Sequence, residues 1–475
     1  MENVYEEEGM KIVIIGDGKV GFKLAEQLAQ ENYDVVMIDS NETILRDSMD
    51  RLDISCVTGN GCSIEVQKEA DVPRSELVIA CTSTDEINML SCLIAKRLGT
   101  KHTIARVRNP VYYEQIDLLK EDMHLSMVVN PERMVALDIS RILILPDTSM
   151  VETFAKGRVE LVEFALYEGC QLIGYSLAEI YIKTKVKFLV CAVEQGENFI
   201  IPKGDYVCQT GDRLFITAAH DELVRLFRKY GQIKARIRNV MIGGGGRISY
   251  YLSRQLLKLG FEVKIIERNE TRCLELYELL PQATIILGDA NDHELLQEEG
   301  IERTDAFIAL TGMDEENIVM SLFAKSKKVP KIIVKVNADS RAKMLDSLGF
   351  DCVVSPKIAT ADAILSYVRA KRNSQGSANV ESLLQLADEK LEAIEFYINK
   401  KSKYTNVKLK VLPIKTNNII ACIARNREII IPGGEDAIQV GDYVIVITTE
   451  THIQDFWDIL NPSLMNRDEL DHSRF

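Results

Sequence analysis

From residue 11 the hydrophobic pattern runs as an apolar stretch, a glycine cluster, a helical stretch, and a second apolar stretch closed by an acid: KIVIIGDGKVGFKLAEQLAQENYDVVMID. The same pattern is written again from residue 239: NVMIGGGGRISYYLSRQLLKLGFEVKIIE. In the first copy Gly16, Gly18 and Gly21 follow the strand-like run Ile12 to Ile15, and Asp39 closes the run Val35 to Ile38. In the second, Gly244 and Gly246 follow Val240 to Ile242, and Glu267 closes Val263 to Ile266. The interval from first glycine to acid is 23 residues in both copies.

Beyond Asp39 the pattern predicts a short helix over Arg46 to Leu52, a strand over Ile54 to Thr58 ending at Gly59-Asn60-Gly61, and a helix near Ile64 to Ala70. Strands follow at Leu77 to Cys81, Thr103 to Val107 and Met127 to Asn130. The polar cluster Thr82 to Asn88 opens a long helix through Leu98, with Ser83 and Glu86 at capping-box spacing. A last helix runs from Glu132 to Ile144 and stops at Pro146. Strands alternating with helices in this way imply a doubly wound parallel sheet.

After Pro146 the period changes. Val159 to Ala165 alternates, and Lys187 to Val193, Asn198 to Ile201 and Arg213 to Thr217 read as strands of a small α+β unit. Helices are expected near Ser176 to Tyr181 and Asp221 to Tyr230. The plan then repeats, at an offset of 228 residues for Gly16 and Gly244, 229 for Asp85 and Asp314, and 230 for Pro202 and Pro432. So constant an offset means tandem duplication of a two-part unit. The expected fold class is α/β: two Rossmann-like doubly wound parallel sheets, each followed by a small α+β C-lobe. The expected domains are 10–148, 149–231, 236–372 and 379–462, with a polar linker over Lys371 to Asn379 and a tail over 463–475, mobile from Asn466.

The glycine turns point to a nucleotide site. The first glycine permits a tight turn, the second lets backbone approach a pyrophosphate, and the helix N-terminus supplies free N–H groups and a positive dipole end. The acid after the second strand can accept hydrogen bonds from ribose hydroxyls, which disfavours a phosphorylated ribose. Glycine turns also serve strand-to-helix packing, but here strand, helix and acid fall in place twice. The second copy departs from the pattern, with Ser249 at the third glycine and extra glycines at 243 and 245. Arg106 and Arg108 flank the end of a strand as surface charge or as phosphate ligands; Lys335 and Asn337 stand in their places in the second copy.

Bulk properties narrow the classes. A net charge of −14 argues against a chain that grips nucleic acid through phosphates, and no basic recognition helix is evident. No run approaches the ~18 to 20 apolar residues of a membrane span, so any membrane connection is expected through a partner. The ten cysteines are scattered without a C-x-x-C pair, which indicates neither zinc nor a disulfide framework; a reducing cytoplasm fits best. Among the 6 histidines, none falls in a recognisable catalytic setting, and an NAD-dependent oxidoreductase is the rival reading.

Taken with Gly16-Asp17-Gly18-Lys19-Val20-Gly21, Asp39, Gly59-Asn60-Gly61, Thr82 to Glu86, Arg106-Val107-Arg108-Asn109-Pro110 and the IPxG...GD pattern of both small units, the chain resembles the TrkA family of regulatory subunits of Trk-type potassium uptake systems, built from two consecutive RCK (KTN) units. The resemblance implies a non-enzymatic gating subunit that couples NAD or NADH, or alternatively ATP, ADP or AMP, to potassium uptake. It implies a cytoplasmic homo-oligomer, a dimer or tetramer forming a ring, peripheral on the inner face of the membrane and docked on a TrkH/TrkG-like channel or transporter subunit. The binding residues it implies are Gly16, Gly18, Lys19, Val20, Gly21, Asp39, Asn60 (where an aspartate is more usual), Thr82, Ser83 and Arg106. In the second copy they are Gly244, Gly246, Arg247, Ile248, Glu267, Asp289 and Thr311. No catalytic or metal-binding residue is implied.

Overall fold

The computed structural model describes residues 10–144, 148–154, 159–196, 198–230, 237–337, 350, 352–373, 380–386, 390–426, 428–450, 453 and 455–461. The tail expected from residue 463 lies outside them, as does most of the expected linker; Lys371 to Asn373 of that linker are helical.

The first N-lobe is a six-stranded parallel sheet: β1 (Lys11–Ile15), β2 (Asp34–Asp39), β3 (Ser55–Thr58), β4 (Leu77–Ala80), β5 (His102–Arg106) and β6 (Met127–Val129), in the order β3-β2-β1-β4-β5-β6. Its helices are α1 (Lys19–Gln30), α2 (Glu42–Arg51), α3 (Ile64–Glu69), α4 (Asp85–Leu98), α5 (Pro110–Tyr113), α6 (Ile116–Asp122) and α7 (Pro131–Ile144). The order reverses between β1 and β4, and in such sheets the crevice outside the carboxyl ends of those strands is where ligands bind. Helix α2 begins four residues before its expected start because Asn41 caps it, Oδ1 accepting from the Thr43 and Ile44 N–H groups. The short α5 and α6 carry too little periodicity to be read from sequence.

The first C-lobe is a five-stranded antiparallel sheet of β7 (Thr148–Phe154), β8 (Val159–Ala165), β9 (Phe188–Gln195), β10 (Asn198–Ile200) and β11 (Arg213–Ala218), with α8 (Leu177–Thr184) and α9 (His220–Tyr230). Sequence reasoning missed the edge strand β7.

The second N-lobe repeats the first. Strands β12 (Asn239–Gly243), β13 (Glu262–Glu267), β14 (Thr284–Leu287), β15 (Ala306–Ala309), β16 (Lys331–Lys335) and β17 (Cys352–Val354) lie in the order β14-β13-β12-β15-β16-β17. Its helices are α10 (Arg247–Lys258), α11 (Glu270–Leu279), α12 (His293–Glu298), α13 (Asp314–Ser326) and α14 (Pro356–Asn373). The second C-lobe has β18 (Val380–Leu386), β19 (Leu391–Tyr397), β20 (Asn418–Arg425), β21 (Glu428–Ile430) and β22 (Tyr443–Thr448), with short 3-10 turns at Leu409–Val411 and Phe456–Ile459 in place of the first C-lobe's α-helices.

The two halves are interlocked. Ala361, Ile364, Leu365 and Val368 of α14 lie in the core of the first N-lobe with Ile12, Ile14, Leu24 and Leu28. Val135, Ala136, Ile139 and Leu143 of α7 lie in the core of the second with Ile242, Leu252 and Ile308. Each N-lobe is thus closed by the last helix of the other. Arg369 on α14 grips Glu31 at the end of α1, with both Nε and the guanidinium tip donating to the carboxylate. The C-lobe sheets pack back to back, with Leu161, Cys191 and Phe215 of one sharing a core with Ala393, Cys422 and Ile445 of the other.

Candidate functional site

Both crevices are built around a turn that no side chain can occupy. Gly16 has φ +105° and Gly244 φ +100°, and a Cβ on Gly16 would come 2.8 Å from the Thr82 nitrogen. A Cβ on Gly21 would come 1.9 Å from the Gly16 carbonyl oxygen. In the second lobe Ser249 takes that place, with its hydroxyl donating to the Gly244 carbonyl, so the substitution keeps helix and turn together as expected. Gly18 and Gly246, at the helix starts, are exposed, and a Cβ on either would meet nothing within 4 Å.

The acid of each crevice is tied to the turn. Asp39 Oδ2 accepts the Asp17 backbone N–H at 2.7 Å and Oδ1 accepts that of Asn41 at 2.8 Å. Glu267 repeats this, accepting from Gly245 at 2.6 Å and Asn269 at 2.8 Å. The acids are half-buried, fixed in direction by backbone.

With the exception of α6, which has no side-chain cap, helix capping among the described residues separates the elements by role. The helices α2, α3, α11 and α12 are capped by Asn41, Ser63, Asn269 and Asp292. The helices that start at the crevices, α1, α4, α10 and α13, have no side-chain cap. Their first-turn N–H groups are therefore left for something else, and an anion is what such groups attract. The expected capping box of Ser83 and Glu86 does not form. Thr84 is the N-cap of α4, and the Ser83 carbonyl instead accepts from the Arg108 guanidinium.

The strand ends behind the turn are joined by an amide that sequence reasoning overlooked. Asn88 Oδ1 accepts from Thr82 N and Oγ1, each at 2.7 Å, while its Nδ2 donates to the Thr82 and Arg106 carbonyls. Asn317 makes the same four bonds to Thr311 and Lys335. Its signal was available, since Asp-x-x-Asn recurs at 85–88 and 314–317. The Arg106 guanidinium donates to the Thr82 carbonyl, and Lys335 Nζ donates to that of Thr311 at 2.7 Å. Lys335 thus keeps one contact of the arginine it replaces.

In the second lobe Gly244, Gly246, Glu267, Asp289 and Thr311 line one crevice of about 210 Å³. An adjoining open depression of about 560 Å³ runs past Glu267 to Asn269 and to Arg272 on α11. Ile248 lies in the core behind this crevice, as Val20 does in the first lobe, so only their backbones are available to it. Lys19 and Arg247 are exposed at the helix starts. Asn60 is exposed, its Oδ1 accepting from Cys62 N at 2.9 Å, while Asp289 holds Asn291 in the same way.

Glu132, the second residue of α7, was not singled out from the sequence. Burial pushes its carboxyl up; a backbone hydrogen bond, Arg108, Arg247 and Arg106 draw it back, and Oε2 has no partner among the described residues. Arg247 belongs to the second lobe, and Lys335 there feels both Glu132 and Lys19. The start of α10 is therefore within electrostatic reach of an acid of the first lobe. His102 Nδ1 meets the Tyr367 hydroxyl at 3.2 Å, a contact between α14 and the first lobe.

The TrkA-N domain model matches residues 12–131 and 240–356, and the TrkA-C domain model residues 161–231 and 393–461. The chain is 31% identical over 463 residues to the Trk system potassium uptake protein TrkA of Vibrio alginolyticus, spanning 96% of this chain and 99% of that one. It is 31% identical over 450 residues to a Trk system potassium uptake protein TrkA homolog of Archaeoglobus fulgidus, spanning 95% and 100%. Among solved structures, the GsuK channel bound to NAD shares the fold with a TM-score of 0.63 at 19% identity, over 96% of this chain and 79% of that one. No helix among the described residues is long and apolar enough to cross a membrane.

Proposed function

The chain belongs to the TrkA family of Trk-system potassium uptake proteins, and we propose that it is the nucleotide-binding regulatory subunit of such a system, docked on a membrane potassium channel or transporter. The observation that carries the ligand reading is the uncapped start of α1 and α10, each facing an open glycine turn with a backbone-fixed acid 23 residues on. The phosphates of NAD or NADH, or of ATP, ADP or AMP, settle on the N–H groups of Gly18 to Val20 and of Gly246 to Ile248. Asp39 and Glu267 take the ribose, Asn60 and Asp289 lie by the adenine, and Arg106 reaches the phosphates. The NAD bound by GsuK, which has the same fold, supports the dinucleotide among these ligands.

No catalysis is needed. Because the last helix of each N-lobe closes the other, and Glu132 of the first lobe lies within electrostatic reach of Arg247 at the start of α10, a ligand in one crevice changes the surroundings of the other. A nucleotide that binds one arrangement of the lobes better than another biases that equilibrium, with about 1 to 3 kcal/mol of coupling typical of such systems. One that binds both equally does nothing. Several copies arranged as a ring on the inner membrane face carry the bias to the gate.

Potassium flux into vesicles carrying the membrane subunit tests this, with and without the chain and with each nucleotide. Flux that changes with nucleotide only when the chain is present is the expected result. Flux indifferent to both, or consumption of NADH with a small substrate, sinks the regulatory reading.

A further inference from the structure

Beneath the turn of the first crevice lies a carboxyl group that ligand binding as described leaves unused. Asp17 is only 4% exposed. Its Oδ2 accepts a hydrogen bond from Ser48 Oγ at 2.6 Å, and its Oδ1 is buried with no partner among the described residues. Its backbone N–H is the one that Asp39 accepts, so two carboxylates stand on one hydrogen-bonded turn. The charged groups acting on it are Asp39 at the end of β2 and Asp47 on α2, both acidic; the thiols of Cys56 on β3 and Cys81 just after β4 feel its charge in turn. Burial, then Asp39 and Asp47, push the Asp17 carboxyl above its ordinary range, and the Ser48 hydroxyl draws it partly back.

The second lobe solves the same packing problem without an acid. Gly245 answers Asp17, and a Cβ there would come 2.6 Å from Leu276 Cδ1 and 3.1 Å from Glu267 Cβ. Leu276 answers Ser48 and is fully buried. An apolar contact thus serves the fold in one lobe where the other keeps a buried acid with an unsatisfied oxygen, an arrangement that costs stability. The fold alone gives no reason to keep it.

We propose that Asp17 is a proton-binding residue of the first crevice: an anionic dinucleotide settling on this turn is bound together with a proton on Asp17, whereas the second crevice binds its ligand without one. The inference rests on the nucleotide-binding reading above. The phosphates bring negative charge to the residues next to Asp17, so its ionised form is less favourable in the complex than in the free protein. The complex holds more protons, and by linkage its affinity falls as pH rises through the pKa of Asp17 in the free protein toward its higher value in the complex. Acidification accordingly favours the occupied first crevice. Each unit by which the ligand displaces that pKa is a tenfold change in affinity across the window.

Titration calorimetry of the full chain with NAD, in pairs of buffers of different ionisation enthalpy between about pH 5 and pH 8, counts the protons taken up. NAD is the probe because its pyrophosphate keeps its charge in that range. The wild-type chain is expected to take up a fraction of a proton per NAD at the first crevice, with affinity falling as pH rises, tenfold for each unit by which NAD displaces the Asp17 pKa. Asp17→Asn, which keeps the Ser48 contact, is expected to abolish the uptake and flatten the profile. Ser48→Ala removes the hydrogen bond that lowers the pKa, and is expected to move the window to higher pH. Asp39→Ala, which disables the first crevice, reports the second alone and is expected to show no uptake. NAD binding at the first crevice without proton uptake, or an unchanged slope in Asp17→Asn, overturns the proposal while the nucleotide reading stands. Should Asp17→Asn fail to fold, the wild-type proton count decides. Absence of NAD binding at the first crevice in every buffer overturns the nucleotide reading, and the proton assignment with it.

Discussion

The two N-lobes keep the same backbone and differ in what fills the space around it. Both turns have a left-handed first glycine, an acid that accepts the next N–H, and an uncapped helix start. Around those features Asp17 and Ser48 in one lobe become Gly245 and Leu276 in the other, Gly21 becomes Ser249, and Arg106 becomes Lys335. The features made by the backbone of the turn and helix start are the ones held in common. Side chains were free to diverge wherever a neighbour diverged with them, because a close-packed interior tolerates only exchanges that conserve its volume.

The comparison is sharpest at Gly21. Gly21→Ser writes the second lobe's residue into the first, where its Cβ meets the Gly16 carbonyl oxygen at 1.9 Å. A loss of about 3 kcal/mol or more is expected, read as a fall in the denaturation midpoint; full stability would show that the two turns are interchangeable. Ile364→Ala asks whether the lobes are truly interlocked. This second-half residue is expected to cost about 3 kcal/mol by leaving a cavity in the first lobe's core, with hydrogen exchange loosening around β1. Loosening confined to the second lobe would contradict the exchange of helices. Asp39→Ala is expected to weaken adenine-nucleotide binding at the first crevice by about 2 kcal/mol, roughly 30-fold, and far more than Ser249→Ala weakens it at the second. Equal affinities by calorimetry would break the distinction between the sites. Least of all, Ser249→Gly gives up the hydroxyl's bond to Gly244 and adds a glycine to α10, for about 1 kcal/mol; its thermal midpoint should drop by a few degrees without change in nucleotide binding.

The strands and their order of appearance were legible because continuous apolar runs broken by glycine turns have few alternative readings. The duplication was legible from the constant offset. The shape of the two turns followed from their residues, since the left-handed backbone of Gly16 favours glycine and the carboxylates of Asp39 and Glu267 accept the turn's N–H. Edges and ends were less legible. The start of α2 depended on one Asn41 side chain, β7 on pairing with β8, and the Ser83–Glu86 spacing mimicked a cap that the Asn88 clamp displaced.

By itself the sequence determined that two nucleotide-type lobes, each with a small antiparallel companion, follow one another, because local periodicity and turn residues encode elements within about 30 residues of themselves. Only the tertiary structure decided whose helix closes whose sheet. The apolar faces of α7 and α14 fit either lobe equally well as patterns, and hydrophobic burial has no direction that a pattern could record. The choice was made by the packing of Ile139 and Ile364 across the halves and by the grip of Arg369 on Glu31. The same packing decided that Asp17 is buried: its position in a glycine turn reads as exposed loop until α2 is laid over it.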